Sequence, residues 1–297
     1  MKVKLLVIAL IVTFCNAFSQ ETDKELLKKT EEAVEKIKVE KQNGWHKKGL
    51  FTFLANQASF TNWQAGGRSS VSGNFSLVYD FNYKSDKWNW DNSLSANYGL
   101  SKINGQEIQK TDDRFSFNSV LGYEAGGHWY YSGFLNFKTQ FDSGFDPENN
   151  SIKLSHFLSP AYIQVGPGLM WKKSDSFKFN IAPATSKLVI VNSYFTQTGP
   201  SFGVEQGDTM RYEFGFSFIG YYKFNVMENV TAENILNLYS NYLDRPKNVD
   251  IDYTLNIAMK INKTLTTNFA FQTIYDDNAF RGFQVREVIG VGVNYGF

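Results

Sequence analysis

Three histidines, His46, His128 and His156, are the side chains of this 297-residue chain best suited to proton transfer or metal binding. The serine nearest to His156 on its C-terminal side is Ser159, an offset of three that places the two side chains on opposite faces of a regular strand. Lipid hydrolysis on a barrel wall needs Ser and His on one face, hence an even offset, so the pair fails that test. Carboxylate-assisted proteolysis would draw on Asp142, Asp146, Asp276 and Asp277, yet only His156 lies near any of them. His46 and His128 have no metal-binding partner in their own segments. The stretch FDSGFDPEN offers Asp142, Asp146 and Glu148 as oxygen donors for Ca²⁺ without the acidic spacing of an EF-hand loop, which predicts a solvated acidic loop. The single cysteine, Cys15, lies in the N-terminal leader, which leaves no disulfide framework or thiol chemistry. The chain is therefore read as non-enzymatic, with no catalytic, cofactor-binding or metal-ligating residue and no cofactor.

The elements that carry these residues have a hydrophobic period of two from about residue 49 onward. In SSVSGNFSLVYDFNYK one face holds Val71, Phe75, Leu77, Tyr79, Phe81 and Tyr83, and the other holds Ser, Asn, Asp and Lys. KWNWDNSLSANYGLS divides in the same way, as do the segments starting near Tyr212 and Ile251. These runs exceed the usual soluble strand of about five or six residues and match the roughly 9–11 residues that a tilted strand needs to cross a bilayer. About twelve are predicted, from 49–60 to 283–297, joined alternately by short turns and longer loops. The fold class expected is all-β: an antiparallel transmembrane β-barrel of about 12 strands, with short turns on the periplasmic side and both ends of the sheet at that rim. Trp88, Trp90, Trp129 and Trp171 fall close to the short turns, where indole rings are expected to form a girdle at headgroup level.

Composition agrees. Aromatic residues make up 16% of the chain while the mean hydropathy is -0.33, so large apolar side chains must be interleaved with polar ones. Lys and Arg total 30 against 29 Asp and Glu, which leaves no basic footprint for nucleic acid. Lys2 and Lys4, an apolar run, and small residues at Ala17 and Ser19 read as a signal peptide over residues 1–19. Residues 20–46 form a charged periplasmic extension, a short helix or tail with Leu26, Leu27, Val34 and Ile37 at helical spacing, and 47–297 form the barrel. The expected address is the cell outer membrane, with outer-membrane lipid as the surrounding partner.

The final segment, VGVNYGF, alternates Val291, Val293, Tyr295 and Phe297 toward lipid with Gly292 and Asn294 toward the lumen, and must close against the first strand so that no edge stays unpaired. Gly292, Tyr295 and Phe297 resemble the C-terminal signal read by the barrel assembly machinery, departing from it at Gly290. On the inner face, Asp80, Arg114, Lys138, Arg211, Glu213, Lys223 and Glu233 are lumen charges of mixed sign. The four cations are expected to pair with these acids and narrow a lumen whose backbone radius is on the order of 10 Å. Asn62, Trp63, Gly66 and Gly67 form an outer-loop motif in which the glycines permit a sharp return.

Several long segments, FTNWQAGG, KWNWDNSL, KTDDRFSFNSVLGY, WYYSGFLNFKTQF, FGVEQGDTMRYEFG and NYLDRPKNVDIDY, resemble a Bacteroidota outer-membrane β-barrel family of unassigned function, a domain-of-unknown-function family. The resemblance runs from about residue 45 to the end; it implies a barrel and an outer-membrane address and transfers no catalytic residue. Two functions are expected for such a chain, a narrow pore or a subunit of an outer-membrane complex. A lipid- or peptide-processing enzyme is the alternative.

Overall fold

The computed structural model describes residues 43–61 and 68–297. The signal peptide, the extension up to residue 42 and the motif Asn62, Trp63, Gly66 and Gly67 lie outside the described residues. The strands in chain order are β1 (Gly44–Ala58), β2 (Ser70–Ser85), β3 (Trp88–Ile103), β4 (Gln109–Gly126), β5 (Trp129–Thr139), β6 (Gly144–Phe145) and β7 (Lys153–Ser155). They continue with β8 (Ala161–Ser174), β9 (Phe177–Ile190), β10 (Met210–Met227), β11 (Val230–Asn241), β12 (Asp250–Lys260), β13 (Leu265–Asp276) and β14 (Phe280–Gly296). Twelve of them close into an antiparallel barrel in which each strand pairs with its neighbour in sequence, and β6 and β7 form a small hairpin in the loop between β5 and β8. The first strand starts at Gly44, earlier than the alternation predicts, because Lys47 and Lys48 interrupt the apolar pattern without interrupting the ladder from Gly44↔Lys84 to Ala58↔Ser70.

No helix among the described residues is long and apolar enough to cross a membrane; the crossing elements are strands. Outward positions stay exposed despite being apolar: Phe53, Phe75, Leu121, Val165, Leu169, Tyr222, Ile289, Val291 and Val293 are all among the exposed large hydrophobics. A water-soluble domain does not present so much contiguous apolar surface. Inward positions hold Asn, Ser, Thr and charged residues, many of them buried. A closed barrel, apolar outside and polar inside, is the architecture of an outer-membrane barrel, in which every backbone polar group is paired within the sheet. At the rim of short turns, Trp45 joins the expected girdle, 5.7 Å from Trp90, while Trp171 stacks on Phe179 at 5.5 Å.

The seam between β1 and β14 is the shortest ladder of the barrel, running from Leu50↔Gly296 to Ala55↔Val291 and extended by mutual backbone hydrogen bonds between Gly49 and Phe297 at 2.7 and 3.0 Å. The two chains approach closely there because Gly292 has no side chain: a Cβ at that position would meet the Phe53 carbonyl oxygen at 2.0 Å and Leu54 at 2.6 Å. Gly292→Val should therefore destabilise the barrel by about 1–3 kcal/mol through overpacking at the seam. Gly133→Ala, where a Cβ meets nothing within 4 Å, should stay within about 0.5 kcal/mol of the unmodified protein. Urea unfolding of the barrel refolded in phospholipid vesicles measures both, and equal stability of the two variants would contradict the close approach.

Candidate functional site: the charged lumen and its outer mouth

The period-two pattern turns one face of every strand inward, so charges that lie far apart in sequence converge in the lumen. At the turn rim, Asp91 on β3 accepts from Lys172 on β8 at 2.8 Å and from Lys178 on β9 at 2.6 Å, and Asn89 donates to it at 3.0 Å. Lys172 also reaches Asp175 in the β8–β9 turn at 2.9 Å, and Asp175 in turn meets Lys84 of β2 at 3.4 Å. Nearby, Glu233 holds Lys223 at 3.6 Å, the Tyr221 hydroxyl at 3.0 Å and the Asn256 amide at 3.1 Å.

Toward the loop rim, a continuous chain of side chains crosses the lumen. Lys138 of β5 donates to Asp252 of β12 at 2.7 Å, and Gln272 of β13 donates to the other oxygen of Asp252 at 2.9 Å. Arg114 of β4 donates to Gln272 at 2.8 Å and to Asp112 at 2.9 Å, and Arg286 of β14 completes the chain on Asp112. β5 and β12 are separated by four strands on one side and six on the other, as are β4 and β13. Both contacts therefore join nearly opposite strands of the barrel.

A second assembly sits beside it under the mouth. Lys187 of β9, buried, reaches Asp250 at 3.0 Å, Glu213 at 3.4 Å and Asp276 at 4.0 Å, with its ammonium 4.7 Å from the centre of the Tyr239 ring. Arg211 pairs with Glu213 at 3.2 Å and with Asp244 at 3.4 Å, and donates to the Gly203 carbonyl at 3.1 Å. The Asp250, Asp276 and Asp277 carboxylates converge within 4.8 Å, a donor set of the kind that hard cations take. Here Lys187 on Asp250 and Arg245 on Asp277 at 2.7 Å supply the countercharge.

The loop between β9 and β10 folds over this assembly. Its 3₁₀ turn, Ser193–Thr196, is capped by the Asn192 side chain, and the loop is tied to itself by Thr196 on the Asp208 carbonyl at 2.7 Å. Fully buried Val204 and Val191 pack on lumen-facing Val189, with Tyr162, Phe195 and Phe202 around them. The result is a small apolar cluster at the loop rim beside a charged interior.

Of the four lumen cations read from the sequence, two meet acids expected for them and two meet others. Arg211 is held by Glu213 and Lys223 by Glu233, whereas Arg114 pairs with Asp112 and Lys138 with Asp252. Asp80 makes no ion pair among the described residues. Period two says which face a charge occupies, but the partner across a lumen depends on register and shear around the whole barrel. Lys172, Lys187, Asp112, Gln272 and the buried loop residue Val204 escaped sequence reading. The charged ones carried the signal of inward parity, and Val204 carried none, since it sits in a loop without a period. Gly292, Tyr295 and Phe297 all lie at the β1–β14 seam, where Phe297 stacks on Tyr79 at 6.0 Å.

His156 bonds not to Ser159 through its ring but to Ser143, whose hydroxyl lies 2.9 Å from Nδ1. The two residues meet because the hairpin of β6 and β7 brings them together. Asp142, next to Ser143, is committed elsewhere: its carboxylate accepts from the Ser143 N–H at 2.7 Å and from the Tyr98 hydroxyl at 2.9 Å. These bonds, with His156 nearby, hold its carboxyl below the usual range. Among the described residues no carboxylate hydrogen-bonds the imidazole, so the pair lacks the group that would orient a base.

Residues 55–145 match the model of a family described as "Protein of unknown function (DUF3078)". No curated protein matches the chain. Among solved structures, the translocator domain of the autotransporter NalP from Neisseria meningitidis is similar at 10% identity and a TM-score of 0.34, with 92% of this chain and 95% of that one covered. An outer membrane channel from Pseudomonas putida F1 is similar at 8% identity and a TM-score of 0.39, covering 86% and 95%. Outer membrane phospholipase A from Escherichia coli is similar at 12% identity and a TM-score of 0.37, covering 83% and 89%. Likeness at this level assigns no function.

Proposed function

We propose that this barrel is a narrow, non-enzymatic pore of the outer membrane that is closed at rest by its own lumen side chains. The observation that carries the reading is the transverse chain from Lys138 through Asp252, Gln272, Arg114 and Asp112 to Arg286. Filling a permanently solid barrel with apolar residues avoids the desolvation of buried ions, which often makes such replacements neutral or stabilising. A chain of charges closes the same space but hydrates when one link is released, which suits a passage that opens. Mixed signs along it give no ring of one charge, so ion selectivity should be weak. In this reading the partners are outer-membrane lipid and, during insertion, the barrel assembly machinery.

A second reading, a subunit of an outer-membrane complex, is favoured by Phe145, Leu154 and Phe157, which the β5–β8 loop leaves exposed. Planar-bilayer recording separates the two. The unmodified barrel should show low or no steady conductance, and the double variant Arg114→Ala, Lys138→Ala should open severalfold larger steps because it removes both links between nearly opposite strands. Arg211→Ala should raise conductance or gating noise by freeing Glu213 and the Gly203 carbonyl. A large, stable, strongly selective channel in the unmodified protein would overturn the closed-pore reading. Variants that stay silent while a stoichiometric partner co-purifies would favour the complex.

A further inference from the structure

A cavity of about 360 Å³ opens at the loop rim, lined among others by Glu205, Arg211, Arg245, Asp277, Phe280 and Arg281. Three of these charges are already engaged: Arg211 with Glu213 and Asp244, and Arg245 with Asp277. Glu205 and Arg281 differ. Both are exposed, and among the described residues neither side chain makes a hydrogen bond or an ion pair, including with the other. One cavity thus presents a free carboxylate and a free guanidinium that do not satisfy each other. Phe280, 56% exposed, adds an apolar wall beside them.

We propose that this vestibule binds a small zwitterion, a free α-amino acid or a short peptide carrying both termini. A guanidinium takes a carboxylate through two parallel N–H···O bonds, and Glu205 offers the complementary acceptor for an ammonium. A simple anion would gain Arg281 but face the Glu205 carboxylate. A simple cation would gain Glu205 but enter among three guanidinium groups. A ligand with both charges meets both free groups, and the cavity volume lies at the small end of ligand sites. Arg211 extends the site inward, because it lines the cavity and also holds the Gly203 carbonyl of the β9–β10 loop. Calling the ligand a passing solute rests on the pore reading; binding itself does not.

The test is calorimetric titration of the purified full-length barrel in detergent with phenylalanine, 3-phenylpropionate, which lacks the ammonium, and phenethylamine, which lacks the carboxylate. Phenylalanine should bind saturably and each analogue about tenfold or more weakly, a gap of one ion pair in affinity. Glu205→Gln and Arg281→Gln should each lose phenylalanine affinity by about the same factor, and Glu205→Gln should narrow the gap to 3-phenylpropionate. Both side chains are exposed, so the variants should keep the heat-shifted gel mobility of a folded barrel. No saturable phenylalanine binding, equal binding of an analogue, or unchanged affinity in both variants would overturn the site. Binding without any effect of phenylalanine on bilayer conductance would uphold the site and count against the passage, whereas conductance without binding would do the reverse.

Discussion

Asp91→Ala is expected to lower folding stability by about 3–5 kcal/mol, the cost typical of breaking a buried ion pair from one side. Asp91 is 7% exposed, and Lys172 and Lys178 both lie within 2.8 Å of its oxygens. Without it, Lys178 loses the one ion pair described for it, and Lys172 keeps one ion pair, to the exposed Asp175, beside its hydrogen bond to Asn89. Asp91→Asn preserves shape and an acceptor while removing the charge, so its loss should be smaller. Urea unfolding in phospholipid vesicles reads both variants. If Asp91→Ala unfolds within about 1 kcal/mol of the unmodified barrel, as an exposed pair would, the ion pairs at the turn rim are solvated rather than buried.

Leu77→Arg should cost about 2–4 kcal/mol, the penalty for a cation on the lipid face near the bilayer midplane. Leu77 sits midway along β2, opposite Phe51 on one side and Ala96 on the other, on the same outward face as exposed Phe75. Ser76→Arg, one residue away, points into the lumen between Thr52 and Asn97 and escapes that penalty. A one-residue shift changes the side chain's solvent from lipid to a polar interior, so the two variants together test the facing of the strand. Equal losses would contradict it.

Much of the barrel was legible before any coordinates. Long alternating runs such as Val71 to Tyr83 can bury one face and expose the other only as strands, and the alternation of short and long connections sets the antiparallel order. The start of β1 was not, because Lys47 and Lys48 look like a break although the ladder to β2 runs through both. A hairpin inside a loop leaves no periodic signal, so the spacing of His156 and Ser159 does not reveal that the imidazole meets Ser143. Period arguments compare residues along one strand, and that contact joins two.

The sequence by itself determined which side chains face lipid and which face the lumen, since a period of two is a local property of extended backbone and needs no partner. It therefore settled that Arg114, Lys138, Arg211 and Glu213 lie inside the barrel. Only the tertiary structure decided that Lys138 meets Asp252 on a nearly opposite strand, that Lys187 gathers Asp250, Glu213 and Asp276, and that Val204 packs on Val189 and Val191. Those contacts depend on the shear with which twelve strands close and on the path of loops that have no period. Both are properties of the whole ring, and no single stretch of chain encodes them.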